Sequence, residues 1–516
     1  LSTRRLKIIA GVSALVLISK LLGLGREIVI ADRFGTTSDY DLYLIAVMLP
    51  ALAWGVISFA VYYLFVPQLT RALEAIESSD EPRRWKAIWS RFNLTVLASL
   101  GVMAVLIIAA PVLMRIWAAG YLKDDYARIL FYCRVTAVMA VLGAIEAFFR
   151  ATLNVKGIFS YPAGGMIIFN IGVIAGTVLF ESRFGVGSVA IGFIGGFILQ
   201  DLFLLLRLMP LGALRKYSLS LPRDSMVPLM HTAGLIVLIE LLNRSYFLID
   251  RFFAPAFGEG IISALNYGQV LVQLPDAVVG FAIASVVFPL FSAASGEADR
   301  SRFGSVYQEA ITGGLLVAVP LAIFFFVNAE DVVYLIFFRG VFDATSVLTT
   351  AQVLRPYTPT IVALFIISTS VRACYAQGWV RQVVWFTSAL ITFKFIGTMV
   401  LSRFMGYPGI SAASSLSQVA YAILLLGLIT RRIEAHQQSQ LFSRISRIVA
   451  IGAASLAVVY LFNRYLLTGL ADPTRPMALA RLALSGLILL GIYALSASLV
   501  GFRSYLFGWV KLGSGA

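Results

Sequence analysis

A chain of 516 residues that is 59% hydrophobic and only 13% charged carries more apolar surface than a soluble fold of its size can cover, which excludes the soluble globular classes. Its formal net charge of +15 would suit a nucleic-acid-binding protein, but the basic residues fall between apolar runs, so no nucleic-acid partner is expected. Cys133 and Cys374 both lie in apolar runs, which argues against a disulfide framework; His231 and His436 have no acidic or cysteine cluster nearby, so neither a metal nor another cofactor is expected.

In chain order, apolar runs long enough to span a bilayer recur from end to end, about fourteen by the ~20-residue criterion. They centre near Leu17, Ser58, Val105, Ala140, Ile171, Phe197, Leu238, Val278, Ala318, Leu364, Thr392, Gln418, Val458 and Leu490. The first run ends in a charged turn rather than a small-residue cleavage site and reads as a retained span. Basic residues alternate across the loops. Arg4, Arg5 and Lys7, then Arg71, Arg83, Arg84, Lys86 and Arg91, then Arg207, Arg215, Lys216 and Arg223, and finally Arg431, Arg432, Arg444 and Arg447 fall on one side. By the positive-inside rule that side is cytoplasmic and both termini lie there. The fold class is an all-α polytopic membrane protein.

An internal repeat sets the domain organisation. Asp32-Arg33-Phe34 recurs as Asp250-Arg251-Phe252, Leu49-Pro50 as Leu274-Pro275, and Arg150-Ala151 as Arg372-Ala373. Phe65-Val66-Pro67 is echoed by Val287-Phe288-Pro289, and Arg183-Phe184 by Arg403-Phe404, all in one order at nearly constant offset. The repeat spans six helices, an even number, so the two copies enter the membrane with the same orientation. The expected division is a six-helix lobe over residues 1–217, a second over 218–435 related by the parallel repeat, and two further helices over 436–516.

Charges inside apolar runs are the candidates for function, because a charge at bilayer depth costs roughly 2.5–3.5 kcal/mol on insertion scales. Lys20 and Arg26 are six apart and point in different directions round a helix, so neither relieves the other. Glu240 and Arg244, four apart, share a helix face and can pair. Asp41, Arg134, Arg355, Asp250, Asp276 and Lys394 are further charges in or beside spans, and Glu146 and Asp201, nearer helix ends, suit structural hydrogen bonding. Gly23, Gly25, Pro50 and Pro275 are candidate interruptions and hinges. Short outer loops with few acids and no histidine argue against an enzyme.

Ser19-Lys20-Leu21-Leu22-Gly23-Leu24-Gly25-Arg26 resembles the Ser-Arg-x-Leu-Gly-Phe-x-Arg-Asp signature of the MurJ/MviN lipid II flippases of the MOP exporter superfamily. Asp41 through Leu49-Pro50, Ala264-Leu265-Asn266-Tyr267 through Gln273-Leu274-Pro275, Phe288-Pro289-Leu290-Phe291-Ser292 and Phe338-Arg339-Gly340-Val341-Phe342-Asp343 match further family motifs. The resemblance implies two lobes around a cationic cavity for an undecaprenyl-pyrophosphate-linked saccharide, with a groove for the lipid tail at the last two helices. Lys20, Arg26 and Asp41 fall on cavity positions, and Arg244 joins them as a substrate contact. Where the family commonly has an arginine pair in the second span, Ala53-Trp54-Gly55 stands here, and an eighth-span arginine aligns with Val270. Lys394 falls where some relatives offer ligands to sodium, and an ammonium there could replace that ion, paired with Glu240.

The expected function is translocation of a lipid II-like precursor from the inner to the outer leaflet of the bacterial inner membrane, by alternating access and as a monomer. The alternatives are another polyprenyl-linked glycan, such as an exopolysaccharide or O-antigen repeat unit, a drug–cation antiporter of the same superfamily, and a membrane glycosyltransferase.

Overall fold

The computed structural model describes residues 3–76, 80–117, 123–211, 218–219, 226–276, 300–466, 474–503 and 505. These residues are helical almost throughout, and the β pairing among them is a single bridge between Arg339 and Phe342. Eleven helices among the described residues are long and apolar enough to cross a membrane. They cover eleven of the expected centres, from Ser58 to Leu490. The centres at Leu17 and Leu238 fall on α1 (Thr3–Phe34) and α9 (Met226–Phe253), of 32 and 28 residues. The eighth, near Val278, lies outside the described residues, as do Val287-Phe288-Pro289 and Phe291-Ser292. The protein is a multi-pass membrane protein.

The chain divides into two compact units, 1–263 and 264–516. The first holds α1, α2 (Ser38–Ala46), α3 (Met48–Glu74), α4 (Glu81–Trp117), α5 (Lys123–Thr136), α6 (Met139–Val155), α7 (Ser160–Phe184), α8 (Gly187–Leu208) and α9. Helix α10 (Ile261–Pro275) crosses the division. The second unit continues with α11 (Arg300–Val327), α12 (Ala329–Phe337), α13 (Ala344–Tyr357), α14 (Pro359–Ala376), α15 (Val380–Met405), α16 (Pro408–Thr430), α17 (Ala435–Leu466) and α18 (Arg475–Ala497).

In the first unit α7 and α8 make the most extensive helix pair, and glycine is the reason. Gly172 and Gly176 on α7 face Gly196 and Gly192 on α8, two stripes of glycine four residues apart. A Cβ on Gly172 would fall 2.6 Å from Gly196 Cα, and one on Gly176 would fall 2.5 Å from Gly192 Cα. Backbones that touch so closely gain dispersion contacts that no larger residue would permit. The outer face of α4 shows the opposite chemistry: Leu97, Val105, Ile108 and Val112 are all exposed, as a lipid-facing helix requires. Between α3, α4, α6 and α8 lies an apolar core of Phe65, Leu69, Trp85, Trp89, Phe148 and Leu204.

The repeat reappears in the turns. Helix α6 ends at Gly157 (φ +73°) and α14 at Gly378 (φ +73°). At the first, the Ile158 amide donates to Leu153 O (2.9 Å); at the second, the Trp379 amide donates to Cys374 O (2.8 Å). The α7–α8 turn uses Gly185 (φ +51°) and the α15–α16 turn Gly406 (φ +67°). Positive φ is a conformation that glycine adopts at little cost, so the same stops occur at the same places in both units.

The Arg339-to-Asp343 motif is a helix start. Asp343 accepts from the Ser346 amide (2.8 Å) and hydroxyl (2.8 Å), capping α13, and these bonds hold its carboxyl below the usual range. Phe342 is fully buried against Tyr267 and Phe337.

Helix α1 runs unbroken through Gly23 and Gly25, so the expected interruption does not occur there; a helical glycine costs about 1 kcal/mol against alanine, which the long apolar helix tolerates. The break falls instead at Val47, between α2 and α3, where Pro50 has no amide to return to Ala46. Pro275 closes α10.

Candidate functional site

Ser19, Gly23, Arg26 and Ile30 follow helical spacing along one stripe of α1, and that stripe meets α7. Asn170 of α7 donates to Ser19 O (3.3 Å) and accepts from Arg26 Nη1 (3.2 Å). Arg26 also donates to Glu27 Oε1 from Nη2 (2.7 Å) and Nε (3.1 Å). Its guanidinium lies 5.2 Å from the centre of the Phe193 ring. Arg26 is therefore a compensated cation, and the partner that sequence reasoning missed is its neighbour. Glu27 is buried, with Oε2 unpaired among the described residues. Lys20 lies elsewhere: it is exposed, on the same side of α1 as the exposed Leu17 and Leu21.

From Phe193 an aromatic ladder crosses the unit. Phe169 stands 5.7 Å from Phe193 and 4.8 Å from Phe197, and Phe197 meets Trp54 of α3 edge-on at 5.0 Å. The Trp54 ring fills the space beside Gly143 of α6, where a Cβ would fall 1.9 Å from it. The next residue, Gly55, opens the facing side of α3 to α9. A Cβ there would fall 2.1 Å from Arg244 Cζ, so the guanidinium occupies the space that a side chain on Gly55 would need. Glu240 holds Arg244 by its Nε at 2.7 Å, the pairing that the four-residue spacing predicts. Glu240 is buried while the Arg244 side chain is 39% exposed, so the pair presents a cation outward on an anchored stem. Lys394 is fully buried on α15 in the second unit.

Asp41 is built into the scaffold. It is 1% exposed, with Oδ2 accepting from the Gly260 amide (2.7 Å) and Oδ1 from the Ser263 amide (2.7 Å) and hydroxyl. Gly260 has φ +78°, and a Cβ on it would fall 2.3 Å from Thr36 O. The carboxylate thus receives the amides of a helix start that has been brought against it by a glycine. Near it Arg251 donates to Leu44 O (2.7 Å), tying the end of α9 to α2.

A second charged group sits on α6. Arg150 donates to Glu146 Oε1 (2.9 Å) and lies 4.7 Å from the Tyr62 ring centre, and Gln200 of α8 donates to the same Glu146 oxygen (3.4 Å). Glu146 meets the expected structural role. Asp201 does not: both its oxygens are buried without a partner among the described residues.

The arrangement offers half-exposed guanidinium groups, backed by buried acids, on helices long enough to cross a bilayer. That can hold an anion. The sequence profile of the family described as Lipid II flippase MurJ matches residues 30–474. The lipid II flippase MurJ of Burkholderia cenocepacia is 25% identical over 444 residues, covering 82% of this chain and 83% of that protein. A probable lipid II flippase MurJ of Bdellovibrio bacteriovorus is 26% identical over 451 residues, covering 85% and 84%. Among solved structures, a lipid II flippase MurJ in an inward closed conformation superposes with TM-score 0.78 at 20% identity, covering 96% of this chain and 99% of that one. An inward-facing multidrug resistance MATE family transporter of the MOP superfamily gives TM-score 0.66 at 16% identity, covering 82% and 96%. With the profile matched from the end of α1 to the start of α18, and with the helix order and cationic first unit just described, the chain belongs to the MurJ lipid II flippase family.

Proposed function

We propose that the protein moves a polyprenyl-pyrophosphate-linked saccharide, lipid II or a close analogue, across the bacterial inner membrane by alternating access. The observation that carries this reading is the Arg244 guanidinium, half-exposed over Gly55 and anchored by buried Glu240. A pyrophosphate cannot enter hydrocarbon unaided, and bidentate guanidinium groups inside a membrane domain are suited to receive it. Lys20, exposed on α1, adds a point charge, and Arg26 adds a fork stacked on Phe193. Asp41 acts from the scaffold. The lobes of the repeat, 1–217 and 218–435, rock about the site, with residues 436–516 serving the lipid tail. The basic loops put both termini in the cytoplasm, and one copy of the chain suffices.

Flipping of lipid II in vesicles containing the purified protein tests the reading. Because removing one member of a buried pair leaves the other charged and unmatched, each pair is neutralised together. Arg244→Gln with Glu240→Gln, Arg26→Gln with Glu27→Gln, and Lys20→Ala should each slow flipping about tenfold or more, the equivalent of one charge-assisted hydrogen bond of ~1.5–3 kcal/mol. Wild-type flipping by all three would remove the site. The second reading, a different polyprenyl-linked glycan, is favoured by Ala53-Trp54-Gly55 where the resemblance leads one to expect arginines. Rescue of a strain depleted of its own peptidoglycan flippase supports lipid II, and failure to rescue by a folded, membrane-inserted protein supports the other glycan.

Lys394 supports a proposal about coupling. A fully buried ammonium repels sodium, so transport should run equally fast with sodium replaced by choline. A strong sodium requirement would overturn this assignment without touching the substrate.

A further inference from the structure

Among the described residues Asp201 is the one acid with both carboxyl oxygens buried and without a hydrogen-bond partner. It lies on α8 two turns before the helix ends, and the residue is 8% exposed. Its charged neighbour is Glu146, an acid, which acts on it electrostatically. The cation that could have served both is already committed, since Arg150 donates to both Glu146 oxygens, at 2.9 and 3.4 Å. Gln200, next to Asp201 in sequence, also donates to Glu146.

The other charged groups on the helices around α8 are engaged elsewhere. On α7, Glu181 pairs with Arg33 at 2.7 Å and Arg183 lies over the Phe184 ring. On α5, Arg128 pairs with Asp39 at 2.7 Å and with Asp125 at 4.0 Å, and Arg134 is exposed. On α1, Arg26 is held by Glu27, and on α8 itself Arg207 lies over the Tyr161 ring. Of the remaining titratable side chains nearby, Tyr161 stacks on Phe203, and Tyr132 meets the start of α8 at Gly187. Cys133 is a buried thiol on α5.

We propose that the first unit carries a proton-binding site at Asp201, where the carboxyl is held as the neutral acid beside the Glu146–Arg150 pair. The group of two acids and one guanidinium is one positive charge short, and an anion in such a place, with no donor and a like charge beside it, is the costly state. A single proton removes the deficit and needs no further ligand from the protein. Ionisable groups within membrane helices commonly serve as proton relays. Here the relay would be tied to packing: the acid is neutral while α6 and α8 are closed on it and ionises when water reaches it, so proton release and opening of that contact are linked. The site is separate from Arg26, Lys20 and Arg244, and the inference stands whatever the transported lipid is.

The test is infrared spectroscopy of the full chain purified into lipid nanodiscs at neutral pH. The expected result is a carbonyl band of a protonated carboxylic acid that shifts in heavy water, shifts again when aspartate is carbon-13 labelled, and is missing in Asp201→Asn. Exchange of sodium for choline should leave it unchanged. No aspartate-derived band in the wild-type protein would overturn the proposal, as would a band that survives in Asp201→Asn. A band that vanishes on adding sodium would overturn it too, by showing a metal-ion site. If Asp201→Asn does not fold, Asp201→Glu decides instead: the band should then lose its aspartate isotope shift and gain one from carbon-13 glutamate, and a band still shifted by labelled aspartate would overturn the proposal.

Discussion

Replacing Gly172 by alanine should destabilise the protein, while the same replacement at Gly195 should stabilise it. The two glycines lie on the paired helices α7 and α8, and the chemical change is identical. At Gly195 a Cβ meets nothing within 4 Å, so alanine gains its helix propensity, worth up to about 1 kcal/mol. At Gly172 the Cβ would fall 2.6 Å from Gly196 Cα, which is backbone and cannot rotate away. Overpacking of this kind costs about 1–3 kcal/mol, and the helix pair must separate to relieve it. Thermal unfolding of the purified protein in detergent reads both signs in one experiment. Equal shifts at the two positions would show that the glycine stripes do not hold α7 to α8.

The other large effect is expected at Asp41. Truncation to alanine strips an acceptor from three donors at once, the amides of Gly260 and Ser263 and the Ser263 hydroxyl, in a place where water does not reach. Each buried donor left unmatched costs about 1–3 kcal/mol, so a loss of roughly 3 kcal/mol or more is expected. Asp41→Asn keeps one acceptor oxygen and turns an amide toward the remaining donors, which places it between the wild type and Asp41→Ala. The order is read from the same unfolding curves, and transport should fall in parallel with stability. If Asp41→Ala unfolds with the wild type and still fails to transport, Asp41 is a substrate contact after all and not part of the frame.

Much of this was legible in the sequence wherever the determining interactions are local. Spans declare themselves by length and hydropathy, which is why thirteen of the expected centres fall on helices. The Glu240–Arg244 bond follows from four-residue spacing on one turn. The repeat was visible as short recurring words, and its backbone counterpart is the pair of glycine stops at Gly157 and Gly378. What escaped is non-local or breaks a local rule. Asp41 finds its donors more than two hundred residues on, and no spacing announces them. Adjacent side chains on a helix usually diverge, so spacing does not point from Arg26 to Glu27, although the reach of an arginine brings them together at 2.7 Å. Asp201 reads as lying nearer a helix end, but α8 continues two turns beyond it, to Leu208. Gly172 and Gly176, with Gly192 and Gly196, carry the four-residue glycine spacing of close helix pairs, a signal that is readable in the sequence.

The meeting of Gly55 with Arg244 bears on how a membrane cavity keeps its charge through divergence. In sequence, Gly55 belongs to the stretch where the resemblance leads one to expect an arginine pair. In space, the vacancy it creates admits a guanidinium from a helix nearly two hundred residues downstream. Electrostatic potential depends on where a charge sits and is indifferent to which helix delivers it. The field that a ligand meets can therefore be kept when the helix that delivers the guanidinium changes. A glycine in the second span should prompt a search for the arginine that has moved in over it.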